Sequence, residues 1–172
     1  MDPNVDLRPV AEGDLAAIYR LTSAPDATGE YEWFGWQDPW RFRRRWEADG
    51  LLGEDSGVLM VDYRGEPLGF VSWARRPTAR TSFCWSVGIA LLPEARGRGY
   101  GTAAQRELVR YLFLHSQVNR IEAGTEIGNL AEQRALEKAG FTREGVMRGA
   151  AFQGGRWHDG VVYSVLRSEV EL

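Results

Sequence analysis

Hydrophobic positions along the chain change period from segment to segment, and the changes outline its elements. Val5-Asp6-Leu7-Arg8 alternates apolar and polar, the period of two that a first strand shows. Leu15, Ile18 and Leu21 then recur three apart behind Gly13-Asp14, which predicts a short helix. Asp38-Pro39 supplies a cap and a first-turn proline and Gly50 a stop, so residues 39–49 predict a second helix, with residues 23–37 irregular. Val58 to Tyr63 and Pro67 to Trp73 flank Arg64-Gly65-Glu66 as a hairpin, and a loop of residues 75–82 leads to a strand from Phe83 to Leu91. From Gly99 onward, Ala104, Leu108, Tyr111 and Leu112 form one helical stripe. Arg120 to Thr125 reads as a strand, and Asn129 to Ala139 as a helix stopped by Gly140, with Phe141 packing back on its last turn. Phe141 to Arg148 and His158 to Leu166 are closing strands around the turn Gln153-Gly154-Gly155. The order β-α-α-β-β-β-α-β-α-β-β predicts a mixed α/β architecture.

Composition narrows the class. The 172 residues show no repeat or linker and read as a single domain, 1–172. No run approaches the roughly 20 apolar residues of a membrane span, and Met1 to Asp6 lacks the basic start and apolar block of a signal peptide. The reading is therefore a cytoplasmic protein without a membrane partner. A net charge of −3 argues against nucleic acid as a partner, and the cluster Arg41, Arg43, Arg44 and Arg45 reads first as a solvated helix face. The single cysteine, Cys84, excludes an internal disulfide and a cysteine-based metal cluster; it reads as core, and no metal is expected.

The candidate chemistry lies at Arg96-Gly97-Arg98-Gly99-Tyr100-Gly101-Thr102, between the apolar strand and the long helix. Glycines at 97, 99 and 101 let main-chain N–H groups converge by backbone angles closed to other residues, and the helix start adds unpaired N–H groups at the positive end of its dipole. A phosphate is the expected guest. The loop is not a P-loop, because the only lysine is the distant Lys138. Nor is it a dinucleotide fingerprint, because the third glycine falls one place early and Arg120 stands where the ribose-binding acid belongs.

What remains, Arg-x-x-Gly-x-Gly from Arg96, resembles the acetyl-coenzyme A pyrophosphate loop of the GCN5-related N-acetyltransferase (GNAT) family. The order of elements resembles that family from end to end. Asn129 to Phe141, Arg143 to Arg148 and Trp157-His158-Asp159-Gly160 are similar to its branch of ribosomal-protein alanine acetyltransferases. The resemblance implies a GNAT fold, a mixed sheet of about seven strands flanked by about four helices and splayed around the acyl-CoA site. It also implies a bulged strand before the loop and a pantetheine slot between residues 86–91 and 121–125. Ile89, Ala90 and Leu91 would then meet the amide arm and the acetyl oxygen, with the phosphates on Arg96, Gly97, Arg98, Gly99, Tyr100, Gly101 and Thr102. Asn129 is implied as a pantetheine contact; with Glu132 it also has the spacing of a capping box.

The implied activity is direct transfer of acetyl from acetyl-CoA to a primary amine, either a protein N-terminus or a small molecule. Two alternatives are a non-catalytic acyl-CoA-binding module and a larger acyl donor, the latter marked by space near Ser86 and Thr125. The sequence does not give the oligomeric state; the resemblance suggests a homodimer. Acid–base groups depart from the family: Ser86 stands where a glutamate is usual, Leu136 where a tyrosine is, and Glu132 where the ribosomal branch has a serine. Glu132, Glu126 and His158 remain as catalytic candidates, each with a structural reading beside it. A missing base would favour a weakly basic α-amine over a lysine side chain. The acceptor pocket is expected around Glu30, Glu32, Trp33, Trp36 and Trp40; the tryptophans share helical spacing, which suits core packing, or they wall a site for a cationic amine.

Overall fold

The computed structural model describes residues 3–172. In chain order it contains β1 (Asp6–Pro9), α1 (Leu15–Ser23), α2 (Pro25–Thr28), α3 (Arg41–Asp49), β2 (Ser56–Tyr63), β3 (Glu66–Ala79), β4 (Ser82–Leu91), α4 (Tyr100–His115), β5 (Arg120–Glu126), α5 (Leu130–Ala139), β6 (Thr142–Gln153) and β7 (Arg156–Leu166). One seven-stranded sheet takes them in the order β1-β2-β3-β4-β5-β7-β6. β4 and β5 run parallel, while the other neighbours are antiparallel.

Most predicted elements recur, with two differences that sequence period could not reveal. Residues 23–37 contain the one-turn helix α2, started by Pro25, so five helices flank the sheet. The expected loop of residues 75–82 is instead the end of a long hairpin, still paired at Pro77↔Phe83 and Ala79↔Ser82. Its polar letters hide a strand: the Arg75 guanidinium lies 4.3 Å from the centre of the Phe83 ring, and Arg76 pairs with Glu122.

Alternation along the strands sends their side chains into two cores. Leu59, Val61, Val71, Trp73, Trp85, Ile121, Ala123, Val161, Tyr163 and Val165 share a core with the stripe of α4 (Ala104, Leu108, Leu112) and with Leu136 of α5. Val58, Met60 and Phe70 point the other way, onto Leu15, Ile18 and Leu21 of α1. α5 ends at Gly140, with φ 102°, and Phe141 N–H returns to the Leu136 carbonyl at 3.0 Å, so the buried Phe141 closes the helix as expected. The arginines of α3 face local partners: Arg43 meets Glu12 and Glu47, and Arg44 meets Asp38. Cys84 is fully buried, and burial pushes its thiol up, which leaves it inert.

The middle of the sheet is split. β4 pairs with β5 only through Trp85↔Ile121, Ser86↔Glu122 and Val87↔Ala123. Beyond that point β4 stays on β3 as far as Leu91, and β5 stays on β7 as far as Glu126, so the two parallel strands part into a V. The bulge expected before the loop is absent, since the register of β3 with β4 is unbroken from Gly69↔Leu91 to Pro77↔Phe83. Divergence of two well-paired halves opens the slot. The buried Glu122, beside the closed end, binds both Arg76, which reaches over β4, and Arg120 at 2.7 Å; Arg120 also grips Glu144.

Candidate active site

Residues 96–102 leave the open end of β4 and start α4. Gly97 and Gly99 have φ of 73° and 82°, the left-handed region that favours glycine, and Gly99 is the cap residue of α4. Gly101 differs from the sequence reading: it has helical angles, and a Cβ there would meet Leu91 Cδ1 at an ordinary 3.6 Å. From Gly97 to Thr102 no main-chain N–H has a partner among the described residues; the first to bond is Ala103, to the Gly99 carbonyl at 3.1 Å. Consecutive unpaired N–H groups at the start of a sixteen-residue helix form an anion cradle. Such groups are costly to leave unmatched, so the cradle suits the pyrophosphate of coenzyme A.

Arg96 is not part of that cradle in the way the resemblance implied. Its Nε donates to the Leu91 carbonyl at 2.9 Å and its Nη2 to the Ala27 carbonyl, which ties the loop to β4 and α2. Arg98 is exposed and makes no side-chain hydrogen bond or ion pair among the described residues, which leaves its charge open to an incoming phosphate.

The walls of the V carry the other predicted groups. Ile89, Ala90 and Leu91 line the β4 side beyond the last pairing, and Thr125 the β5 side, while Ser86 lies at the closed end opposite Glu122. Asn129 caps α5: its Oδ1 accepts from Glu132 N–H at 3.2 Å and its Nδ2 donates to Thr125 Oγ1 at 3.1 Å. The capping box is only half made, because Asn129 N–H bonds the Glu126 carbonyl. The Glu132 carboxyl instead accepts from Gln105 Nε2 of α4 at 2.8 Å. Burial pushes that carboxyl up to about 7, with the charge of Glu32 adding to the rise and the Gln105 hydrogen bond opposing it. A carboxyl that titrates near neutrality is suited to proton transfer.

His158 is occupied at both ring nitrogens. Nδ1 lies 3.1 Å from Glu126 and Nε2 3.1 Å from the Gln153 carbonyl, which makes it a strut between β5 and the β6–β7 turn. Gln153 in turn donates to the carbonyls of Glu30 and Trp33 at 2.7 and 2.8 Å, and the Tyr31 hydroxyl donates to the Gly128 carbonyl at 3.1 Å. These bonds lay residues 30–33 over the start of α5. Glu32 is exposed, and partial loss of water raises its carboxyl. The helical spacing of Trp33, Trp36 and Trp40 does not produce a helix: the segment is irregular, Trp33 and Trp36 meet edge to face at 5.1 Å, and Trp36 is 80% exposed.

One group escaped the sequence reading, and the structure changes the role of another. Gln105 is a buried polar residue inside the apolar stripe of α4, a signal present in the letters but without a partner to interpret it. Arg96 reads as a phosphate ligand until the fold brings Ala27 to it.

Comparison with known proteins matches this geometry to a family. Residues 4–142 fit the acetyltransferase (GNAT) domain model. The chain is 33% identical over 128 residues to the "Putative ribosomal N-acetyltransferase YdaF" of Bacillus subtilis, covering 74% of this chain and 67% of that one. It is 27% identical over 164 residues to the aminoglycoside N(6')-acetyltransferase type 1 of Klebsiella pneumoniae, covering 84% and 77%. Spermidine N-acetyltransferase from Vibrio cholerae, solved with CoA and spermine, superposes with a TM-score of 0.82 at 20% identity, over 96% of this chain and 97% of the other. Among the described residues, no helix is long and apolar enough to cross a membrane. The split sheet, the cradle at its open end and the family match agree: the chain belongs to the GNAT acetyltransferase family and has the N-acetyltransferase fold, with an acyl-CoA as its co-substrate.

Proposed function

We propose that the protein transfers the acetyl group of acetyl-CoA directly to a primary amine that arrives as a cation. The observation that carries this reading is the V between β4 and β5, with the unpaired N–H groups of residues 97–102 at its mouth and the Glu132 carboxyl, bonded to Gln105, beside it; burial raises that carboxyl, and Glu32 adds its charge. Glu32 attracts the ammonium and Glu132 takes one of its protons. The amine then attacks the thioester carbonyl, whose oxygen is held by an N–H of residues 89–91. As the C–N bond forms and the C–S bond breaks, the second amine proton leaves to solvent. Neutral Glu132 returns its proton to the thiolate. Glu132 therefore replaces the groups absent at Ser86 and Leu136, and the case for an amine of low basicity falls away: an amine bound as ammonium can be a small-molecule amine or a protein N-terminus.

The phosphates rest on the N–H groups of residues 97–102 with Arg98, and the pantetheine arm runs past Ile89, Ala90, Leu91 and Asn129. Glu30, Trp33 and Trp36 form the outer wall of the acceptor site, with Ser86 and Thr125 bounding the acetyl. Arg96 and His158 hold this frame in place. We read residues 1–172 as one cytoplasmic domain that assembles as a homodimer. Three of the similar proteins carry names as different as ribosomal, aminoglycoside and spermidine N-acetyltransferase.

Thiol release from acetyl-CoA should be measured with an amine panel: a peptide with a free N-terminus, a lysine peptide, spermidine and an aminoglycoside. Turnover with at least one, and a raised KM for that amine in Glu32→Gln at unchanged CoA affinity, is expected. Tight CoA binding with no transfer to any amine would make the protein an acyl-CoA-binding module, and preference for a longer acyl-CoA would overturn the acetyl assignment.

A further inference from the structure

Gln105 is 3% exposed and shares the buried face of α4 with Ala104, Leu108, Val109 and Leu112. A buried amide is stable only when its polar atoms are matched. Its Nε2 is matched by Glu132 Oε1 at 2.8 Å, but its Oε1 is buried with no partner among the described residues. No hydrogen bond of Oε1 therefore holds the amide against a half-turn. Protonation of Glu132 creates a donor, the carboxyl O–H, at the group Gln105 already touches. A half-turn of the amide exchanges its donor for its acceptor.

We propose that Gln105 is the positioning residue for Glu132: its amide donates to the ionised carboxylate and, turned over, accepts from the protonated carboxyl, so the proton carrier keeps one place through both halves of the reaction. Polar groups of α5 near Glu132 have other partners. Asn129 is used by Thr125 and the Glu132 N–H, Gln133 donates to the Ile127 carbonyl, and Glu137 accepts from Tyr163. On β5 and β7, Glu126 and His158 hold each other. Glu32 acts on Glu132 through its charge. Among the described residues, Gln105 is thus the group that hydrogen-bonds the Glu132 carboxyl and can respond to its proton.

The inference rests on Glu132 as proton carrier, and the test separates the two. The pH dependence of kcat/KM is measured for the unaltered enzyme, Gln105→Met and Glu132→Gln, using the amine found in the panel. Gln105→Met keeps the side-chain length but removes donor and acceptor. Its acid limb should move up by about half a pH unit or more, because the ionised carboxyl loses a stabilising donor. Activity should recover above the new limb while the KM for acetyl-CoA stays within about twofold. In the unaltered protein, the side-chain NH2 resonances of Gln105 should shift with pH at the midpoint of activity, a readout that needs no variant to fold. An unmoved acid limb, an equal loss at every pH, or Gln105 resonances flat through the midpoint would each overturn the positioning role. Full activity in Glu132→Gln would overturn the reading beneath it.

Discussion

Replacing Gly99 or Gly101 by alanine gives opposite expectations from two glycines in one loop. At Gly99, φ is 82°, and an added Cβ would also lie 3.2 Å from Pro3 Cδ. A left-handed conformation costs an alanine about 1–2 kcal/mol. At Gly101 the angles are helical and the nearest atom is 3.6 Å away, so alanine fits and gains a few tenths of a kcal/mol or more in helix propensity. The strain at Gly99 appears in CoA affinity if the free loop relaxes, and in folding stability if it does not. The sum of the two changes is the quantity to read. Calorimetric titration with CoA and urea unfolding should together show a loss of about 1–2 kcal/mol for Gly99→Ala, which is about 5–30-fold if it falls wholly on binding. For Gly101→Ala the sum should be zero or favourable. Equal losses in both variants, or no loss in Gly99→Ala, would refute the assignment of the cradle to positive-φ backbone rather than to the absence of side chains.

Three further expectations follow from individual side chains. Glu132→Gln should be nearly inactive yet more stable at pH 8: the folded carboxyl sits at about 7 against an ordinary 4.5, so the folded state binds more protons between those values and stability falls as pH rises through them. The gain is at most about 3 kcal/mol, read by urea unfolding, and a variant less stable at pH 8 would contradict it. Arg8→Ala removes the guanidinium that joins buried Asp14 at 2.7 Å to buried Asp62 at 3.1 Å, which should destabilise by about 2–3 kcal/mol, discounted because Arg8 is partly exposed. Arg8 holds the Asp14 carboxyl below its ordinary value, so this contribution is present above the ordinary aspartate range and is lost as pH falls through the depressed value; unfolding curves of enzyme and variant should converge in acid. Tyr31→Phe loosens the acceptor segment from Gly128 and should raise the amine KM several-fold at unchanged CoA affinity; a change in CoA affinity instead would contradict that division of the site.

The sequence determined by itself whatever depends on neighbours along the chain. The stripe of α4, the stops at Gly50 and Gly140, the turn at Gly154-Gly155 and the glycines of the loop are local geometry, and local periods and backbone angles can be read from letters. The α2 turn and the polar half of the β3–β4 hairpin were not legible, because Pro25 and the arginines 75 and 76 take their meaning from what they pack on.

Only the tertiary structure decided which side chains are committed to the frame and which are left for chemistry. Arg96 turns from a phosphate ligand into a brace because α2 presents the Ala27 carbonyl, and both nitrogens of His158 are used by groups from other strands. Glu132 exchanges half of a capping box for a bond to Gln105, 27 residues away, and its partial burial raises its proton affinity to near neutral. Desolvation and charge act through space, so the proton affinity of Glu132 is set by what the fold brings around it and not by its neighbours in the chain.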